Sequence, residues 1–255
     1  MKKFIALLLS FALILTLAAC GGIKPELPTQ PATEPTEPTQ PTTEPTEPIP
    51  QTPANIRQGY PVSKENVPEF VELYNKNVAN YNKISEMDCN NITPPGVFEE
   101  TGVRIFEVQL ARFYFAFDDV FVQGSSIPYR WLTSAVTYDC DGDGVKELIY
   151  SYHHGTAWYS GSIEVFNTVS QKRTFIYTER MTTGVTDSLY ITKSEDDSEA
   201  LFRVWRVKWK PDYQTTEYNG QATNILLGVE YEFVEFAGNL KMVDGSLQFV
   251  PYAGK

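Results

Sequence analysis

The chain has 255 residues, of which 42% are hydrophobic and 21% charged, and a formal net charge of −11. That length supports one or two domains with a real core. An acidic chain repels anionic polymers, and its densest cationic run is only Arg203, Arg206, Lys208 and Lys210, so the composition argues against a nucleic-acid partner.

At the N-terminus Lys2 and Lys3 precede an almost unbroken apolar run from Phe4 to Leu15, which Leu17-Ala18-Ala19-Cys20 closes. This is the layout of a secretory signal over residues 1–19, too short and wrongly flanked for a spanning helix. Leu-Ala-Ala-Cys resembles the lipobox of bacterial lipoproteins. The resemblance implies lipid on Cys20 as the first mature residue, and hence a membrane partner through that lipid at the extracytoplasmic face of the cell membrane. Loss of Lys2 and Lys3 with no acid would take the net charge from −11 to −13.

Residues 20–55 change abruptly to Pro, Thr, Glu and Gln, with Thr33-Glu34-Pro35, Thr36-Glu37-Pro38, Thr42-Thr43-Glu44-Pro45 and Thr46-Glu47-Pro48 as a short-period repeat. So few apolar side chains do not offset ordering entropy, and the expectation is a disordered stalk leaning toward polyproline II. At about 3.1 Å per residue it would reach on the order of 90 Å.

Residues 56–255 read as a single α+β domain, with an N-terminal helix or helices followed by a largely antiparallel β-sheet. Asn66-Val67-Pro68-Glu69 offers a cap, a first-turn proline and a glutamate three residues on. Val67, Phe70, Val71, Tyr74, Val78 and Tyr81 then recur at helical spacing, predicting a helix to about Lys83. Phe106, Leu110, Phe113, Phe117 and Phe121 fit a second helix over 103–121, and the same aromatic run also fits a strand. Beyond Tyr129, short alternating segments predict strands at 134–138, 147–152, 162–168, 173–179, 189–192, 201–209 and 228–236. Asn219-Gly220 and Asp244-Gly245 read as hairpin turns. Cys89 and Cys140 form either a disulfide, which an exported compartment permits, or two thiols.

The strands at 134–138 and 147–152 flank Asp139-Cys140-Asp141-Gly142-Asp143-Gly144-Val145-Lys146-Glu147-Leu148. Ca²⁺ takes about 6–8 oxygens, and carboxylates two apart on a tightly turning backbone can converge on one point. Asp139, Asp141 and Asp143 are the candidate side-chain ligands, with the Val145 carbonyl, and Glu147 closing the site directly or through water. Without a cation four carboxylates repel one another, and Lys146 offsets only one. The pattern resembles the calcium loops of FG-GAP and VCBS repeats, and a segment common in surface lipoproteins of Gram-positive bacteria. It occurs once, which departs from the repeated arrays of those families. Tyr150 stands where an EF-hand keeps its bidentate glutamate. The resemblance implies structural calcium, with affinity of about 10⁻⁴–10⁻³ M for an extracellular module.

Other chemistry is thin. His153-His154 point to opposite faces of a strand and make a poor chelating pair. Gly124-Ser125-Ser126 lacks nucleophile-elbow spacing. Trp205 and Trp209 share a strand face and are either core or an exposed platform for a sugar or protein ligand. The expectation is a non-enzymatic binder or adhesin of an envelope polysaccharide or protein. The alternative is a cell-envelope carbohydrate-active hydrolase using paired carboxylates, with Glu99-Glu100 and Asp118-Asp119 as candidates.

Overall fold

The computed structural model describes residues 49–54, 56–57, 61–108, 112–125, 130–154, 159–180, 187–194, 200–218 and 221–253. The signal-like segment, Cys20 and the Thr-Glu-Pro repeats lie outside the described residues. In chain order the elements are β1 (Ile56–Arg57), α1 (Val67–Asn77), β2 (Cys89–Asn91), α2 (Val97–Thr101), β3 (Arg104–Val108), β4 (Arg112–Phe117) and β5 (Val120–Gln123). There follow β6 (Arg130–Tyr138), β7 (Glu147–His154), β8 (Tyr159–Asn167), β9 (Lys172–Arg180), β10 (Asp187–Lys193), β11 (Phe202–Tyr218), β12 (Gln221–Val243) and β13 (Ser246–Pro251). They form a β2-β3-β4-β5 sheet, a β6-β7-β8-β9 sheet, and a five-stranded sheet ordered β1-β12-β11-β10 with β13 also on β12. Every pairing between these strands is antiparallel.

This corrects the α+β expectation of helices first and one sheet after. The described chain is predominantly antiparallel β-structure in three sheets, with one helix of more than a single short turn or two. The second helix expected over 103–121 is the β3-β4-β5 meander. Its helical stripe misleads because this sheet is covered on both sides, so apolar residues occupy every position rather than alternate ones. Ile105, Phe113 and Phe115 enter one cluster with Leu148, Tyr150, Tyr152 and Phe166 of the second sheet. Phe106, Val108 and Tyr114, on the opposite face, enter another with Val67, Phe70 and Tyr74 of α1. Phe70 stacks on Phe106 with ring centroids 4.2 Å apart.

The first helix is also shorter than its apolar spacing suggests. Asn66 has φ 56° and its side chain makes no cap bond, so the expected capping box is not formed. At the other end Asn75 bonds Ile84 twice, donating from Nδ2 to its carbonyl at 2.8 Å and accepting its N–H at 2.9 Å. That pairing turns the chain back after Asn77. Val78 is extended, and Tyr81 is left 88% exposed.

The central strand is β7, buried at all eight positions. Leu148, Tyr150 and Tyr152 face the first sheet's cluster, while Ile149 joins Ile163, Val165, Leu189, Val204 and Leu240 against the five-stranded sheet. Gly161 sets the spacing of β8 and β10: a Cβ there would lie 2.9 Å from the Leu189 backbone nitrogen. Ser134 Oγ accepts the Ile191 N–H at 2.8 Å, and Thr133 and Ser188 hydroxyls lie 2.9 Å apart, joining β6 to β10. One expected hairpin turn falls where predicted, with Asp244 and Gly245 at φ 50° and 74° between β12 and β13; Tyr218 pairs with Gln221, and the other expected turn, Asn219-Gly220, lies outside the described residues.

Candidate metal centre

The loop from Asp139 to Lys146 connects the edge strand β6 to the central strand β7, with Tyr138 paired to Glu147 at its neck. Its shape is set by carboxylates accepting backbone N–H groups. Asp139 takes Gly142 N–H on Oδ1 at 2.7 Å and Gly144 N–H on Oδ2 at 2.9 Å. Asp141 accepts the Asp143 N–H at 3.3 Å and Asp143 the Val145 N–H at 2.7 Å. Gly142 and Gly144 have φ 75° and 88°, a region where a side chain would be strained.

These turns bring one ligand oxygen each of Asp139, Asp141 and Glu147 within 4.8 Å of one another, a group that can hold a metal ion. Asp139 and Asp141 sit at the surface side, while Glu147 is 3% exposed. Asp143 is not among the three, although it shapes the turn. Val145 is in the loop and 39% exposed.

Glu147 is the anchor. The Cys140 N–H donates to its Oε2 at 2.7 Å and Asn167 Nδ2 to its Oε1 at 2.8 Å. Asn167 in turn accepts Ser170 N–H at 2.8 Å, closing the turn between β8 and β9. A buried carboxylate needs such donors, since leaving a charge without them costs several kcal/mol. Asn167 escapes a reading of the acidic motif because it lies on another hairpin. Lys146, the one cation in the loop, reaches Glu100 of α2 at 3.1 Å. Glu100 also accepts the Thr137 hydroxyl, and these two partners, Thr137 first, hold its carboxyl below the usual range. The Lys146 charge is therefore shared with a fifth carboxylate.

Cys140 and Cys89 are both free thiols, so no disulfide joins them. Cys89 belongs to the α1 cluster and Cys140 packs against the cluster of β7 and the five-stranded sheet. Burial pushes each thiol up to about 12, with Glu147 adding to the effect at Cys140.

Trp205 is core, 1% exposed, with its indole N–H donating to Thr192 Oγ1 at 3.0 Å. Trp205 and Val207, two apart on β11, face the same cluster, and the extra residues Ala237 and Val234 on the facing strand β12 let Phe236 and Phe233 both pack there. Trp209 pairs with Tyr231 in the backbone register, and its side chain lies outside the described ones. Both histidines are buried. His154 Nε2 lies 2.5 Å from Ser162 Oγ and its ring stacks on Tyr152, while His153 lies beside Trp131. Glu99, Asp118 and Asp119 are exposed, so neither candidate pair forms a buried couple of carboxylates. Buried acids that the sequence did not single out are Glu107 in β3, Glu179 in β9, which pairs with Arg206, and, partly, Glu164, which accepts the phenols of both Tyr150 and Tyr152.

No protein-family model matches the chain, and no curated protein and no solved structure matches it.

Proposed function

We propose that the β6–β7 loop binds Ca²⁺ as a structural clamp, in a non-catalytic domain that lipid on Cys20 tethers outside a bacterial membrane, where it engages an envelope polysaccharide or protein. The observation that carries the metal assignment is the convergence of Asp139, Asp141 and Glu147. An all-oxygen set on a short, glycine-hinged loop suits a hard cation that tolerates irregular geometry, which favours Ca²⁺ over the strict octahedron of Mg²⁺. Asp139 directly follows β6 and Glu147 opens β7, so an ion between them ties the ends of two paired strands. Asp143 and the Val145 carbonyl complete the proposed ligand set.

A thermal melt in millimolar calcium against chelator tests this reading. A ligand that binds only the native state raises the midpoint. An unchanged midpoint overturns the metal claim. Membrane fractionation of wild type against Cys20→Ser tests the anchor separately, and a variant still retained with the membranes would count against it.

A further inference from the structure

Strands β11 and β12 outrun their sheet. β10 pairs with β11 only as far as Lys208, and β1 pairs with β12 at Glu230 and Tyr231. From Pro211↔Val229 to Tyr218↔Gln221 the two strands continue as a ribbon of eight paired positions, with no third strand on either side among the described residues. A two-stranded ribbon is marginal in water, and the outer edge of a strand offers N–H and C=O groups to a further strand.

Other sheet edges here are blunted. β2 and β5 have only three and four residues. β9 carries Lys172, Arg173 and Arg180, β10 is bounded by Asp187 and Lys193, and β13 ends in Pro251. The long edge of β6 is engaged: Leu132 O accepts the Tyr231 hydroxyl at 3.2 Å, and Thr133 and Ser134 bond β10. The outer edge of β12 over 221–229, Gln-Ala-Thr-Asn-Ile-Leu-Leu-Gly-Val, has neither charge nor proline. The same edge further along already receives β13 at Gly238–Val243 and β1 at Glu230–Tyr231, so it is a working template for an antiparallel strand.

We propose that this edge pairs with the same edge of a second copy of the chain, 221–229 antiparallel to 221–229, making a two-fold four-stranded ribbon. Self-pairing about a two-fold axis places each residue opposite one from the same run. A run without charge meets itself without like-charge repulsion. The two acids of the ribbon, Asp212 and Glu217, are on β11, the outer strand of such an assembly and one strand removed from the seam. Eight residues at about 3.3 Å each extend the ribbon roughly 26 Å, several times the screening length of about 8 Å at physiological salt. Two acidic chains can thus meet at their ribbons with much of their mutual repulsion screened. Four strands also supply what a two-stranded ribbon lacks.

The test is the mass in solution of the full chain, purified in mild detergent, by sedimentation and light scattering over about 1–100 µM. Wild type is expected to dimerise in that range. Ile225→Lys and Ile225→Glu are each expected to be monomeric, with native circular dichroism, and an equimolar mixture of the two to recover a heterodimer. A wild type monomeric at 100 µM overturns the proposal and leaves the edge to a different extended peptide. So does a dimer that survives Ile225→Lys in a folded protein. If neither charge variant folds, cysteine at Ile225 in the wild-type background still decides: oxidative cross-linking between copies supports the pairing, and its absence removes it.

Discussion

Three glutamates are buried among the described residues; Glu179 is paired with Arg206, and the other two, Glu147 and Glu107, differ in their surroundings. Glu147 opens β7 with 3% exposure and receives two N–H donors, from Cys140 and Asn167. Glu107, in the middle of β3 with 8% exposure, faces the aromatic cluster beside its partner Phe113. Burial alone pushes its carboxyl up to about 7. A carboxyl buried with neither backbone N–H nor amide aimed at it shifts toward the neutral acid. One glutamate is therefore equipped to face a cation, and the other belongs to the core.

The largest expected effect in this comparison is at Glu147. Glu147→Ala leaves the Cys140 N–H and the Asn167 amide unpaired under the sheet and removes the anchor of the loop. The expected loss is about 4 kcal/mol in urea unfolding without metal. A loss under about 1 kcal/mol would mean that the donors are satisfied by water and that the two glutamates are not different in kind.

The next effect belongs to Glu107 and depends on pH. Its folded pKa of about 7 stands above the ordinary 4.5, so the folded state holds a proton that the unfolded state releases. The stability this contributes is fully present below about 4.5 and is lost as pH rises to about 7, amounting to roughly 3 kcal/mol if no other group compensates. Glu107→Gln keeps a neutral side chain throughout. Its stability should match wild type near pH 4 and exceed it near pH 8. Parallel stability curves from pH 4 to 8 would show that Glu107 is ionised in place and would erase the contrast with Glu147.

The smallest effect isolates the ion from the scaffold. Asp141 is exposed, and the one bond it receives within the loop is the 3.3 Å contact from Asp143. Asp141→Ala should change metal-free stability little. It should abolish the calcium increment, which for a millimolar site at 10 mM calcium is about 1.4 kcal/mol, or a few degrees in Tm. A calcium response undiminished in this variant would take Asp141 out of the site.

Much of the second half of the chain was legible in advance because its strands alternate and its turns carry the residues turns require. Asp244-Gly245 is an example, as is the loop at Asp139. The region from Val103 to Phe121 was not. Its strands lie between α1 and a second sheet, so both faces are apolar and the period that separates strand from helix is erased. The helix after Asn66 was overextended for a different reason: Asn75 bonds to Ile84 and ends it, a contact that no periodicity registers. The strand facing Trp205 shows a third limit, since the extra residues Val234 and Ala237 of β12 reset which of its positions share a face.

By itself the sequence determined the chemistry of the β6–β7 loop: acids two apart, glycines at positive φ, strands on either side. Those are properties of neighbours, fixed over a few residues by backbone geometry. Only the tertiary structure decided that Glu147 joins Asp139 and Asp141 while Asp143 does not, and that Asn167 from another hairpin holds it. It also decided that Trp205 is core and that no described strand pairs with the outer edge of β12 over 221–229. Those outcomes depend on which layer covers which face, and layering is settled by packing between segments far apart in the chain.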